Sequence, residues 1–295
     1  MTLYRNSLPQ MSGDPFLTDG GLETTLYFIH GIDLPEFAAF VALDREDGPD
    51  LLRDYYLSYA DIAKRHGAGF ILESPTWRAS RAWGERIGID AERTLDYNRR
   101  GIDLMLELRA EIAKDLPHVV ISGCMGSRGD GYAPEEILTA GEAETYHREQ
   151  IGVLAETAAD MVTTYTIPYA DEAIGITRAA AGCGMPTAIG FTVETDGKLP
   201  SGESLREAIE RVDAACDPRP AYYMINCAHP SHFLGIFDGG AWTERIQAIR
   251  ANASAKSHEE LEASTELDAG DPGELAGLYG DLKTRLPRFN IVGGC

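Results

Sequence analysis

Short apolar runs alternate along this chain with longer stretches in which apolar residues recur at helical spacing. The short runs predict buried strands over 16–21 ("FLTDGG"), 68–74 ("AGFILES"), 118–123, 160–166, 186–192, 221–227 ("AYYMINC") and 289–295 ("FNIVGGC"). A weaker one lies in 244–254, "ERIQAIRANAS". The longer stretches predict helices over 48–67, which ends in glycine, and over 90–116, 135–158, 170–184, 202–216 and 272–286. Strands separated by helices of this length need crossover connections and therefore a parallel sheet. About eight such units in 295 residues predict an α/β chain folded as a (β/α)8 TIM barrel. The competing open, doubly wound sheet lacks its fingerprint, because the first strand runs into "TDGGLE" and not G-x-G-x-x-G.

No repeat, linker or low-complexity tract cuts the chain, so a single barrel domain is expected over 1–295, with 1–15 as an N-terminal extension. The acidic segment 258–274 is the longest polar insertion and reads either as a lid or as a solvated loop. A barrel needs a helix outside its last strand, and none follows 289–295. The natural chain is therefore expected to continue past Cys295, with another cysteine and a helix.

Charge narrows the partners. A net charge of −21 repels phosphate backbones, which argues against nucleic acid. Nowhere do about 18 apolar residues run together, so no membrane span is expected. The start of the chain holds no apolar run suited to a signal peptide. Five cysteines, odd in number and without C-x-x-C, argue against a disulfide framework and for a reducing, cytoplasmic setting. A homo-oligomer is left open.

Function in such a barrel collects at the C-terminal ends of the strands. Cys227 ends the sixth strand and Cys295 the eighth. Both strands are even-numbered, so their inward residues can share a layer, and the two thiolates could meet one metal ion. Read alone, two isolated cysteines in a chain of this length are more often buried small hydrophobes. Asp19 fits a helix cap. A Schiff-base lyase is disfavoured, because Lys64, Lys114, Lys198, Lys256 and Lys283 all lie away from core strand ends.

The motifs "LTDGGLETTL", "ILESPT", "MVTTYTIPYADEA", "GFTVETDGKLPSGESLREAI", "INCAHP" and "IVGGC" stand in the order and spacing of a known family. Over residues 16–295 the chain resembles the homocysteine S-methyltransferases, which include the betaine- and S-methylmethionine-dependent enzymes and the homocysteine domain of methionine synthase. The resemblance implies a barrel that holds Zn2+ with three cysteines, one after Asn and a consecutive pair after Gly-Gly. Cys227 and Cys295 match the first two, as metal ligands and catalytic residues. Asp19, Gly20 and Gly21 match the loop that holds the amino-acid part of homocysteine. Glu73 and Thr76 match the strand-two motif, and Asn226 the Asn before the first ligand; these are the expected substrate-binding residues.

Strand four departs from the pattern. The family carries Glu-Thr there, with the Glu on the substrate ammonium, whereas this chain has Tyr165-Thr166. A phenol is neutral at pH 7. The activity implied is zinc-dependent transfer of a methyl group from a sulfonium or quaternary ammonium donor to the thiol of homocysteine, giving methionine. Alternatives are a different thiol or selenol acceptor, or a non-catalytic binding relative that has lost zinc. Trp77, Tyr132 and Tyr165 fall near strand ends, where they either face the cationic donor or pack the rim.

Overall fold

A computed structural model describes residues 2–134 and 136–295. Eight strands, β1 (Phe16–Leu17), β2 (Gly69–Glu73), β3 (Val119–Met125), β4 (Met161–Ile167), β5 (Thr187–Phe191), β6 (Tyr222–Asn226), β7 (Ile246–Ala251) and β8 (Ile291–Gly294), form a closed barrel in chain order. Every pairing is parallel, and β1 closes on β8 with Phe16 opposite Ile291. The (β/α)8 architecture is the one the alternation of elements predicts.

The period-2 alternation of side chains splits the core into two. On β2, Phe70 and Leu72 face outward to the helices, and Ile71 faces into the barrel. Met161 and Tyr165 of β4 and Met224 of β6 are likewise interior. Helices Gly48–His66, Ala91–Ile112, Ala140–Glu156, Ala170–Gly182 and Leu205–Ala215 cover the outside. The first stops at Gly67, which sits at φ 61°, a left-handed conformation glycine adopts without steric cost. The third starts at Ala140, later than expected. Thr139 and Glu142 form a reciprocal capping box that fixes this start, and position 135 lies outside the described residues.

Two crossovers differ from the regular unit. Between β6 and β7 the chain makes only Pro230–Phe233 and 3-10 turns. Between β7 and β8 it makes a short helix, His258–Glu262, and then Pro272–Arg285. Residues at the N-terminus pack under the barrel. The Leu3 and Tyr4 amides donate to Asp160 Oδ1 at 2.7 and 2.9 Å, Arg109 pairs with Asp160 at 2.8 Å, and Leu8 joins the interior cluster. No helix among the described residues is long and apolar enough to cross a membrane.

Candidate active site

A cavity of about 470 Å³ opens at the C-terminal ends of the strands. That volume suits a small molecule. Asp19, Gly20, Gly21, Glu73, Tyr165, Asn226, Cys227 and Cys295 all line it. Thr76 does not. Its hydroxyl lies behind the wall and donates to the Cys124 carbonyl at 2.8 Å, so the expected substrate contact is replaced by a strand-to-strand tie. The acidic insertion forms the outer wall through Leu261, Ser264, Glu266 and Leu267, and His258 anchors it by a 2.7 Å hydrogen bond between Nε2 and the Cys227 carbonyl.

The polar centre of the cavity is Arg250, which the sequence reading passes over. Ala248 of β7 is interior, so alternation also turns Arg250 inward. Its register partners are Asn226 on β6 and Gly293 on β8. A Cβ on Gly293 would lie 2.9 Å from Arg250 Cγ and 2.0 Å from Thr18 Oγ1, so only glycine leaves room for this arginine stem. Arg250 Nη1 lies 3.0 Å from Asp19 Oδ1 and donates to Tyr165 Oη at 2.8 Å. Nε donates to the Gly294 carbonyl at 2.9 Å, and Nη2 to the Gly20 carbonyl. Tyr55, from helix Gly48–His66, donates to the other Asp19 oxygen at 3.0 Å. Burial works against the Arg250 charge, but Asp19, with Tyr165, Tyr55 and Glu73 behind it, holds the guanidinium well above its usual pKa. Burial pushes the Asp19 carboxyl up, and Arg250 and Tyr55 pull it back.

Tyr165 relays this cluster to Glu73, donating to Glu73 Oε1 at 2.9 Å. Burial raises the Tyr165 hydroxyl well above its usual pKa, so it stays neutral. Burial also lifts Glu73 to about 7, against the pull of Arg250. Glu23, on the same cavity wall, is lifted to about 7 by desolvation, with Asp19 adding to the effect. A carboxyl with a raised folded-state pKa contributes its stability below its unfolded value and loses it as pH rises through the folded value. For Glu73 that window runs from 4.5 to about 7. Glu73→Gln keeps an acceptor for Tyr165 and removes the titration. It should be more stable than wild type at pH 8 by roughly 3 kcal/mol, with the gap closing near pH 4.5. Urea unfolding at both pH values checks this, and a gap that does not change with pH would contradict it.

Two non-glycine residues at the strand ends of β4 and β6 hold left-handed backbone, Thr166 at φ 57° and Cys227 at φ 53°. Such geometry costs on the order of 1–3 kcal/mol each and persists where surroundings enforce it. Asn226 enforces the first, because its Oδ1 accepts from the Thr166 amide at 3.0 Å. Its Nδ2 is buried without a partner and lines the cavity. The second re-aims Cys227. Met224 is interior, so alternation also turns Asn226 inward and would turn the next residue outward. The positive φ breaks that alternation and brings Cys227 into the cavity wall.

Cys227 and Cys295 meet as a disulfide, with sulfurs 2.01 Å apart. This corrects the expectation that every cysteine is reduced. A disulfide carries no thiolate, so the pair can bind a metal only after reduction. The softness of two sulfurs suits zinc. Among the described residues, however, no group of three or more His, Cys, Asp or Glu is placed to hold a metal ion. Cys124 also lines the cavity, and burial pushes its thiol well above the usual range.

The aromatic candidates all line the cavity but are engaged within the chain. Arg78 lies 4.5 Å over Trp77, Arg250 lies 4.7 Å over Tyr165, and the Tyr132 ring is 4.1 Å from that of His258. Phe28 and Phe37 also line the cavity, and the sequence reading did not single them out.

A sequence model of the family described as Homocysteine S-methyltransferase matches residues 16–295. Among curated proteins, the chain is similar to a selenocysteine Se-methyltransferase of Brassica oleracea var. italica, at 26% identity over 76% of this chain and 68% of that protein. It is similar to homocysteine S-methyltransferase 3 of Zea mays at 26% identity, over 76% of this chain and 69% of that one. Among solved structures, the metallated form of the homocysteine methyltransferase MmuM from Escherichia coli superposes with a TM-score of 0.72 at 16% identity, covering 96% of this chain and 91% of that one. Its oxidized form gives 0.74 at 15% identity, covering 98% and 93%. At these identities the two structures speak for the fold.

Proposed function

The chain belongs to the homocysteine S-methyltransferase family and is a methyltransferase; we propose that it moves a methyl group from a small sulfonium or quaternary ammonium donor to the thiol of a homocysteine-sized acceptor. The observation that carries this reading is the convergence of Cys227 and Cys295 on one cavity at the C-terminal mouth of the barrel. A free thiol has a pKa near 8.5 and is mostly protonated at neutral pH. Reduced Cys227 and Cys295 would hold a zinc ion, which when bound supplies the charge that keeps an acceptor thiol deprotonated.

The chain's own residues do the rest. In the transfer, the donor's bond to its methyl carbon breaks, and the electron pair stays with the leaving sulfide or amine. The acceptor sulfur forms the new bond, and its proton passes to solvent. The cavity has to hold the two reactants in line, a contribution that can reach several kcal/mol. Glu23 and Glu73, partly ionised near pH 7, favour a cationic donor over its neutral product. Asn226 Nδ2, held toward the cavity because its oxygen is tied to Thr166, offers a fixed donor to the acceptor's polar end. The insertion carrying Leu261 and Leu267 walls off water.

The test is a mass-resolved assay of reduced protein supplied with zinc, deuteromethyl S-methylmethionine or betaine, and a panel of small thiols that includes homocysteine. Label is expected on a thiol. Label on none of them, with both donor classes, would overturn the proposal.

A further inference from the structure

We propose that Arg250 takes the place of the acceptor's own ammonium group, and that the natural acceptor is a small mercapto carboxylic acid lacking an amine. This rests on reading the cavity as a methyl-acceptor site.

The groups matched to the amino-acid end of homocysteine are Asp19, Gly20 and the residue at 165. Each is already bound to one internal cation. Asp19 Oδ1 lies 3.0 Å from Arg250 Nη1, Tyr165 Oη accepts from the same nitrogen at 2.8 Å, and the Gly20 carbonyl accepts from Nη2. An ammonium brings three donors and no acceptor, so it needs such oxygens free. It would also sit beside a buried guanidinium of like charge. Arg250 is 7% exposed and tied at Nε to the Gly294 carbonyl, so it cannot swing aside without breaking contacts to β1, β4 and β8.

Two sequence features belong to this arrangement. Tyrosine at 165 supplies no second carboxylate, which leaves Asp19 to balance Arg250. Glycine at 293 makes room for the arginine stem, since a Cβ there would come within 2.9 Å of Arg250 Cγ. The cavity wall also keeps open donors. Asn226 Nδ2 and Trp77 Nε1 are buried without partners, and both residues line the cavity. Donors without partners suit carboxylate oxygens. Glu73 Oε2 is buried without a partner and donates in its protonated form, joining that set; ionised, it and the Glu23 carboxylate are the groups an ammonium would have to reach instead. The reaction is R–SH plus a methylsulfonium or methylammonium ion. The donor's bond to methyl breaks with its electron pair on the donor, R–S–CH3 forms, and the thiol proton goes to solvent.

Isothermal titration of reduced, zinc-supplied protein should compare homocysteine with 4-mercaptobutanoate, the same skeleton without the amine. The amine-free thiol is expected to bind at least tenfold more tightly. In Arg250→Met that preference should fall at least tenfold, because Asp19 and the Gly20 carbonyl are released to an ammonium. If that variant does not fold, the wild-type ratio decides alone. Equal or tighter binding of homocysteine by wild type would overturn the inference and leave methyl transfer to homocysteine standing, with Glu73 or Glu23 as the ammonium partner. Binding of neither thiol would overturn the reading of the cavity as an acceptor site, and the inference with it.

Discussion

Cys227→Ser should lower methyl transfer by more than about a hundredfold while the barrel stays folded. Losing even a group that orients a metal ligand costs roughly 10–100-fold, and the ligand itself costs more. A serine hydroxyl is a hard, protonated oxygen at neutral pH, and a poor replacement for a thiolate on a soft ion. The change in volume is small, and the left-handed backbone at φ 53° is no harder for serine than for cysteine. Wild type and variant must be compared under reducing conditions. The Cys227–Cys295 bond spans 68 residues, and in the chain-entropy model closing such a loop stabilises the oxidised protein by about 4 kcal/mol that serine cannot supply. Turnover and near-UV circular dichroism check the prediction. Undiminished turnover in a folded variant would remove Cys227 from the chemistry.

Arg250→Met should cost about 3–5 kcal/mol of stability, the typical loss when one partner of a buried ion pair is removed and the other stays charged. The side chains of Arg250 and Asp19 are 9% and 5% exposed, so solvent cannot replace the missing partner. The same change strips the Gly20 and Gly294 carbonyls of their donor and loosens β7 from the ends of β1 and β8. Asp19→Asn in the same background should recover part of the loss, because an amide is cheaper to bury than an unpaired carboxylate. Denaturant unfolding of the two single variants and the double variant should show a coupling of at least about 1 kcal/mol. Additive losses would mean that the pair is not coupled.

These two residues mark where the sequence was readable and where it was not. The barrel was legible because each buried strand of a parallel sheet reads as a short apolar run, and six long helices carry a helical period. Cys227 and Cys295 were legible because each ends such a run. Arg250 was not. A charge in the middle of "ERIQAIRANAS" makes a strand look weak, and its partners Asp19, Tyr165 and Gly294 lie far away in sequence and meet it only through barrel closure. A signal was available: an arginine in a run that must be buried needs a carboxylate, and Asp19 ends another strand. Thr76 was misplaced because a hydroxyl near a strand end serves a neighbouring strand as readily as a ligand. The acidic insertion has no apolar period, and its place over the cavity depends on tertiary contacts such as that of His258 with the Cys227 carbonyl.

X-ray absorption at the zinc edge of reduced protein, with one equivalent of zinc, tests the thiol site most directly. At least two sulfur neighbours at about 2.3 Å are expected, with one more when an acceptor thiol is added and a loss of sulfur in Cys227→Ser. Zinc surrounded only by nitrogen and oxygen while Cys227 and Cys295 are both reduced, or a spectrum unchanged in Cys227→Ser, would contradict the assignment.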